Sequence, residues 1–446
     1  MKLQTIIGYT ALFVTGTVAA LGQQSSTKPP RYLIRDLGTL GGASSMAYYV
    51  NEWGVVSGQA QLSNGTNHAT LWYQNAKLDV GTPGLGGQSG SATLNSTSFI
   101  VNDFGQTVGA AETSSTDPNG ENFCGYGTGH TCAPFIWQFG FMTALAGLGG
   151  PNGQAIAINN VGQIVGVAET NSQDSSCSTI TAGQILDYQG VQWNLRQGTK
   201  RVLSPLSNDT ISVALWINDK GQAVGQSGMC GNTTLPPLVI GPHAVLWEKD
   251  GTVRDLGNLG GECLSPCVSP LVGPIGNTPL YITDEGKVVG ASVLPGEQTM
   301  HAFLWPNKAG RMEDLKTIPG DIASVALAIN NKGAVVGISF QPDGRPRAFL
   351  RKDGQMLDLN ALVQADAPIY ASVAQFINLS GQVAGFGADT STGEIHAFLA
   401  TPYDGDQNAH LWRNTDEDPP NKVVLSEGAR KQLRQLIRGG AFGLQH

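Results

Sequence analysis

One pattern is written seven times along this chain: Asn, two residues, Gly, three residues, Gly. It falls at Asn51/Gly54/Gly58, Asn102/Gly105/Gly109, Asn159/Gly162/Gly166, Asn218/Gly221/Gly225, Thr283/Gly286/Gly290, Asn330/Gly333/Gly337 and Asn378/Gly381/Gly385. Successive anchors lie 51, 57, 59, 65, 47 and 48 residues apart. That period is the range of propeller blades and is too long for a β-helix coil. A residue that recurs at one place in every unit first of all packs that unit against its neighbours, so the repeat constrains the fold far more than the function.

Within a unit, short apolar runs alternate with turn signals, which predicts strands. An Asn side chain can start a type I turn by bonding to the backbone two residues on, and a Gly closing the turn can take the left-handed conformation. Hairpin chemistry alone therefore accounts for the repeated Asn and Gly. A second hairpin starts from a HAFLW-like strand at His68–Trp72, Pro134–Trp137, His243–Trp247, His301–Trp305, Arg347–Leu350 and His396–Leu399, and returns as an Asp-Leu strand. Two hairpins make four antiparallel strands whose faces need covering by neighbouring units. The seventh unit lacks its Asp-Leu strand after Ala400, while an orphan copy stands at residues 31–38. The sequence therefore predicts an all-β fold: a seven-bladed β-propeller of four-stranded antiparallel blades, closed by the N-terminal strand 31–38 completing the last blade, which leaves no open edge.

Composition agrees: 13% charged residues and 59 glycines in 446 are the profile of many short strands and tight turns. Residues 1–22, with Lys2 and an apolar stretch from Ile6 to Ala20, read as a signal peptide, followed by a short linker at 23–30, the repeat domain at 31–402, and a polar linker with a short C-terminal helix at 403–446. No later segment approaches 18 apolar residues, so no integral membrane segment is expected after signal cleavage. The net charge of −8 supplies no basic stripe for nucleic acid. The chain reads as a secreted, cell-surface or periplasmic monomer. Six cysteines in an exported chain point to disulfides. Cys124 with Cys132 and Cys263 with Cys267 are the near pairs, leaving Cys177 with Cys230; these spacings match no common zinc finger.

The motifs DLGTLGG at 36–42, the Asn-to-Gly hinges and HAFLW at 301–305 resemble the HAF repeat family of predicted extracellular proteins. The resemblance covers residues 31–400. It implies an exported, repeat-built bacterial protein and carries no activity with it. Repeats two to four depart from the family pattern, with Ala133 or Gln189 in place of His, long insertions, or loss of the LGG element.

His68, His243, His301 and His396 share one position, but it opens the third strand, away from the axis. Structural hydrogen bonding, to the Asp or the backbone of an adjacent strand, is the expected role, and the recurrent Asp36, Asp79, Asp255, Asp314 and Asp358 read as structural for the same reason. The series Trp72, Trp137, Trp193, Trp247 and Trp305 reads as packing between blades, whereas Trp53, Trp216 and Trp412 stand outside it as candidates for exposure. The insertions at 110–132, 167–188, 226–242 and 262–279 contain all six cysteines and emerge on one face. That face over blades two to five is the expected binding surface, with Asp117, Asn119, Glu121, Tyr126, His130, Asp174 and Tyr188 as candidate contacts. The alternating oxygens of Asp117, Asn119 and Glu121 resemble a short calcium loop but lack a full ligand set. No cofactor is expected, and calcium is the one ion the spacing admits. The leading functional expectation is a non-catalytic binding module for an extracellular glycan, envelope component or protein. The alternatives are a hydrolase or lyase with its site at the channel mouth, or a structural surface protein.

Overall fold

The computed structural model describes residues 30–82, 93–175, 177, 184–230, 241–262, 267–269, 273–296, 298–307, 310–403 and 424–430. The signal peptide, Cys263 of the expected Cys263–Cys267 pair and Trp412 therefore lie outside the described residues. Seven four-stranded antiparallel sheets follow one another around a ring. In the first blade β2 (Gly41–Val50), β3 (Val56–Leu62), β4 (Asn67–Tyr73) and β5 (Ala76–Asp79) run from the axis outward in chain order. The last blade has Ile369–Ile377, Val383–Asp389 and Ile395–Pro402, and its fourth strand is β1 (Tyr32–Asp36) from the start of the chain. β1 pairs antiparallel from Tyr32↔Pro402 to Asp36↔Phe398, as the orphan Asp-Leu strand requires. The Gln364 amide clamps β1 further by bonding both the N–H and the C=O of Ile34 at 2.9 Å.

Each element of the repeated hinge has a physical cause. The first Gly has positive φ in all seven blades, from 75° at Gly105 to 87° at Gly381, so a side chain there would be strained. The second Gly answers to a different demand. Every innermost strand carries a β-bulge three residues before its hinge, at Tyr48, Phe99, Ile156, Leu215, Leu280, Leu327 and Gln375. Across from the bulge, a Cβ on Gly58 would overlap the Met46 carbonyl, and the same collision awaits Gly109, Gly166, Gly225, Gly290, Gly337 and Gly385. The bulge brings that carbonyl over the second strand, and Gly at this site makes room for it.

The hinge Asn does more than start its own turn. Asn51 Oδ1 accepts from the N–H groups of Trp53 and Val55, while its Nδ2 donates to the Asn102 carbonyl of the next blade at 3.1 Å. Asn102, Asn159, Asn218, Asn330 and Asn378 repeat this contact at 2.9–3.3 Å. Hairpin chemistry thus explains only half of each Asn, and the other half ties blade to blade. Between these ties, Trp72, Trp193, Trp247 and Trp305 are buried as expected. Trp193 and Trp247 bond the carbonyls of Ala146 and Ser204 in the chain entering their blades.

Candidate functional site: two faces and a filled channel

The insertions of blades two and three are welded together by buried carboxylates. Glu121 Oε1 accepts from the N–H groups of Ile185 and Leu186 at 2.7 Å and from the Gln184 amide at 3.2 Å, all in the next blade's insertion. Asp117 Oδ1 accepts from the N–H groups of Asn119 and Glu121, and Oδ2 from the Asn152 amide at 2.7 Å. Glu169 accepts from Asn152 N–H and the Gln184 amide. Burial, with Glu121 adding its charge, pushes the Glu169 carboxyl up to about 8 against those hydrogen bonds. Glu112 anchors the base of the loop through Asn95 and Thr128. Two disulfides, Cys124–Cys132 and Cys177–Cys230, complete the frame, the second joining the insertions of blades three and four. Such bonds belong to an oxidising compartment.

The sequence-derived candidates divide accordingly. Asp117, Glu121 and Tyr188 are buried, whereas Asn119, Tyr126, His130 and Asp174 keep partial exposure on the loop surface. Tyr126 sits at the inner edge, its hydroxyl on Thr97 and 3.3 Å from Gln59 Oε1. Burial drives its ionisation far above the ordinary tyrosine range.

The recurrent His and Asp meet as the strand order requires. His68 Nδ1 lies 2.8 Å from Asp79, His301 Nδ1 2.9 Å from Asp314, and His396 Nδ1 2.9 Å from Asp36. Blade six substitutes Arg347, whose guanidinium bridges Asp321 at 2.7 Å and Asp358 at 3.1 Å. His243 sits more loosely between Asp209 and Asp255, at 3.9 and 3.7 Å.

The axis is filled with rings. The Tyr49 ring lies tilted, its centroid 4.0 Å from that of Phe376 and 5.8 Å from that of Trp216, and Trp216 lies 4.6 Å from Tyr281. Blades one, four, five and seven thereby touch through one aromatic cluster. Trp216, a candidate for exposure by its hinge position, is instead part of this plug, because the bulge turns the residue two before the hinge inward. Nearer the loop face the bulge residues Tyr48, Leu280 and Leu327 join Met46, Phe340 and Ile395. The chain's return from 424 to 430 covers that cluster with Leu425 and Ala429. Ser426 caps this last turn, its Oγ accepting from Ala429 N–H at 2.9 Å.

The opposite face carries the hinges and a second set of functional candidates. Glu52, Asp103, Asp219 and Asp284 follow the hinge residues of four blades, each accepting from a backbone N–H of the blade before it. Burial raises Glu52 and Asp284, with neighbouring carboxylates adding to the effect. Beside these acids, Trp53 is 70% exposed, Phe104 66%, Phe139 84% and Phe141 75%. Trp53 Nε1 reaches across to the Asp103 carbonyl at 3.1 Å, so the first two blades present their aromatics together. Trp53 is exposed as expected. The three Phe residues stand in or beside turns whose signal is carried by neighbouring Asn and Gly, Phe104 and Phe139 within the turn and Phe141 at the start of the strand Phe141–Ala144. Their shared position at the turns of one end of blade two was the available clue.

No family model and no curated protein matches the sequence. Among solved structures, the chain is similar to Pyrococcus horikoshii acylaminoacyl peptidase, with a TM-score of 0.46 and 11% identity over 84% of this chain and 55% of that one. It thus spans about half of the peptidase's length. An oligogalacturonate lyase in complex with manganese gives a TM-score of 0.45 and 10% identity, over 83% of this chain and 93% of that one. TolB from Acinetobacter baumannii gives 0.37 and 12%, over 78% and 79%. The propeller assignment rests on the seven sheets themselves.

Proposed function

We propose that the protein is an exported, non-catalytic binding module of the HAF repeat type, which engages a glycan, envelope component or protein through the loop face of blades two to four. The observation that carries this reading is Glu121, which uses one buried carboxylate oxygen to fasten the neighbouring insertion. Loops that are pre-ordered lose little entropy on binding. Asn119, Tyr126, His130 and Asp174 supply half-exposed polar and aromatic groups on that frame, a mixture suited to hydroxyl-rich or peptide ligands. The aromatic plug supports the non-catalytic reading, since it takes the place that an axial active site would need.

A glycan array and an envelope-extract pull-down with the mature protein test the proposal, each repeated with an Asn119→Ala/His130→Ala double variant. Both side chains are partly exposed, so the ring should remain folded while ligand capture drops at least tenfold. Capture that is unchanged in the double variant would refute the loop face as the binding surface. Excising the whole loop is a poor test, because it would also remove Glu112, Asp117 and Glu121 and orphan the groups they satisfy.

A second reading is favoured by Trp53, Phe104, Phe139 and Phe141. Large apolar side chains this exposed, gathered at one end of two adjacent blades, are the signature of a contact surface. A Trp53→Ala/Phe104→Ala variant that loses capture while the loop variant keeps it would move the binding surface to the hinge face.

A further inference from the structure

The geometry points to a divalent-cation site of the zinc class at Asp36, Asp389 and His396, which clasps the closing strand to the last blade. One donor atom from each residue lies within 4.8 Å of the other two. Four donors at about 2.0–2.2 Å around a tetrahedral ion stand roughly 3.4 Å apart, so this spacing is that of a chelate with room for water as the fourth ligand. Imidazole nitrogen favours zinc or a similar transition ion over calcium, which prefers an all-oxygen set.

The sibling blades make the case, because each resolves the same position differently. In blade one His68 faces a single carboxylate, and its Nε2 is buried without a hydrogen-bond partner. In blade five Asp314 is shared between His301 and Lys316, which supplies the balancing charge. In blade six the Arg347 guanidinium stands between two carboxylates. In blade four two carboxylates approach different nitrogens of His243, so no common point exists for an ion. Only in blade seven, among the described residues, do two carboxylates approach the same nitrogen. Asp36 Oδ2 is 2.9 Å and Asp389 Oδ2 3.8 Å from His396 Nδ1, and among the described residues no Lys or Arg pairs with either acid.

The groups behind the donor atoms are arranged as a metal site requires. Asp389 Oδ1 is held by Ser391 and Thr392 through both backbone and hydroxyl donors. Asp36 Oδ1 accepts from Gly38 N–H at 2.7 Å. Each carboxylate thus has one anchored oxygen and one oxygen directed at the shared point, His396 Nδ1. Asp36 belongs to β1, whereas Asp389 ends the strand Val383–Asp389 and His396 lies at the start of Ile395–Pro402, 360 residues after Asp36, so a bound ion would lock the N-terminal strand into the ring.

The test uses the full mature protein, stripped with EDTA and desalted, then titrated with ZnCl2 by calorimetry and by thermal unfolding. The expected result is one saturable site and a higher Tm with zinc, and an Asp389→Asn variant that binds at least tenfold more weakly. Asn retains the oxygen that Ser391 and Thr392 hold, so this variant should fold even if His396→Ala does not. A His301→Ala variant in blade five should bind zinc like the parent. The absence of saturable binding, or equal binding by Asp389→Asn, would overturn the site and leave His396 as a hydrogen-bonded bridge between two acids.

Discussion

The side-chain amide of Asn378 donates to the backbone carbonyl of Asn51 at 3.1 Å, across 327 residues of sequence. This bond seals a girdle of hinge amides that passes from blade to blade around the ring. The girdle has one gap. Asn218 reaches the Thr283 carbonyl at 2.9 Å, but Thr283 has no amide to pass on to Asn330; its hydroxyl accepts from Lys287 N–H instead. Thr283→Asn should complete the circle and stabilise the protein by about 1 kcal/mol, the net worth of one such hydrogen bond. Urea denaturation would show the midpoint rise with unchanged slope. A fall, or no change, would mean that the hinge amide contributes little beyond its own turn.

The two glycines of one hinge should differ in what they tolerate. Gly333 has φ of +79° and open space around a would-be Cβ, so Gly333→Ala meets only the left-handed penalty of about 1–2 kcal/mol. Gly337 has ordinary φ, but a Cβ there would collide with the Val325 carbonyl and approach the Phe349 ring. Relieving that clash means moving backbone in a packed core, so Gly337→Ala should cost the larger amount, about 3 kcal/mol or more. Parallel denaturation of the two variants decides it, and equal losses would contradict the bulge as the cause of the second Gly.

The fold was legible because its causes are local and repeated seven times. The hinge, the Asp-Leu strand and the missing last strand each follow from short-range chemistry, and β1 lies where the orphan copy at 31–38 placed it. The cysteine spacings likewise pointed to Cys124–Cys132 and Cys177–Cys230. What remained hidden depends on contacts between units. Nothing in an isolated Asn51 shows that its amide reaches Asn102, and nothing around Trp216 shows that a bulge turns it to the axis. The loop candidates share this limit: Asp117 and Glu121 read as exposed oxygens until Asn152 and residues 184–186 are seen to cover them.

The weld between insertions gives a local prediction. Glu121→Ala leaves the N–H groups of Ile185 and Leu186 without their buried acceptor, a loss of about 2–3 kcal/mol. Because the weld joins the insertions and meets the ring only at Leu186, the first residue of the strand Leu186–Asn194, the cost should fall on the insertions rather than on the ring. Hydrogen exchange should quicken by tenfold or more at Ile185 and Leu186 while Val336 and Phe349, in the core of blade six, keep their protection. Uniform loss of protection would show the insertions to be integral to the ring's stability.

The same insertions make stability depend on pH. Burial, then the charge of Asp174, holds Asp187 up at about 6, and burial holds Glu169 up at about 8. A hydrogen bond to Asp255 raises His243 as well. A group whose pKa is higher folded than unfolded binds its proton more tightly when folded. Its contribution is therefore complete below the unfolded value and is lost as pH climbs through the folded one. That window runs from about 3.8 to about 6 for Asp187, and from about 4.5 to about 8 for Glu169. Asp255, Asp314, Asp343 and Asp389 shift downward, so their contribution is lost only below the ordinary carboxylate range and is constant at higher pH. Stability should therefore fall from about pH 5 to about pH 9. Glu169→Gln removes the titration but keeps one acceptor oxygen, enough for Asn152 or Gln184 and not both, so stability should drop at every pH while the decline between about pH 6 and pH 8 flattens. Denaturation midpoints at pH 5, 7 and 9 for both proteins check this, and an equally steep decline in the variant would take Glu169 out of the account.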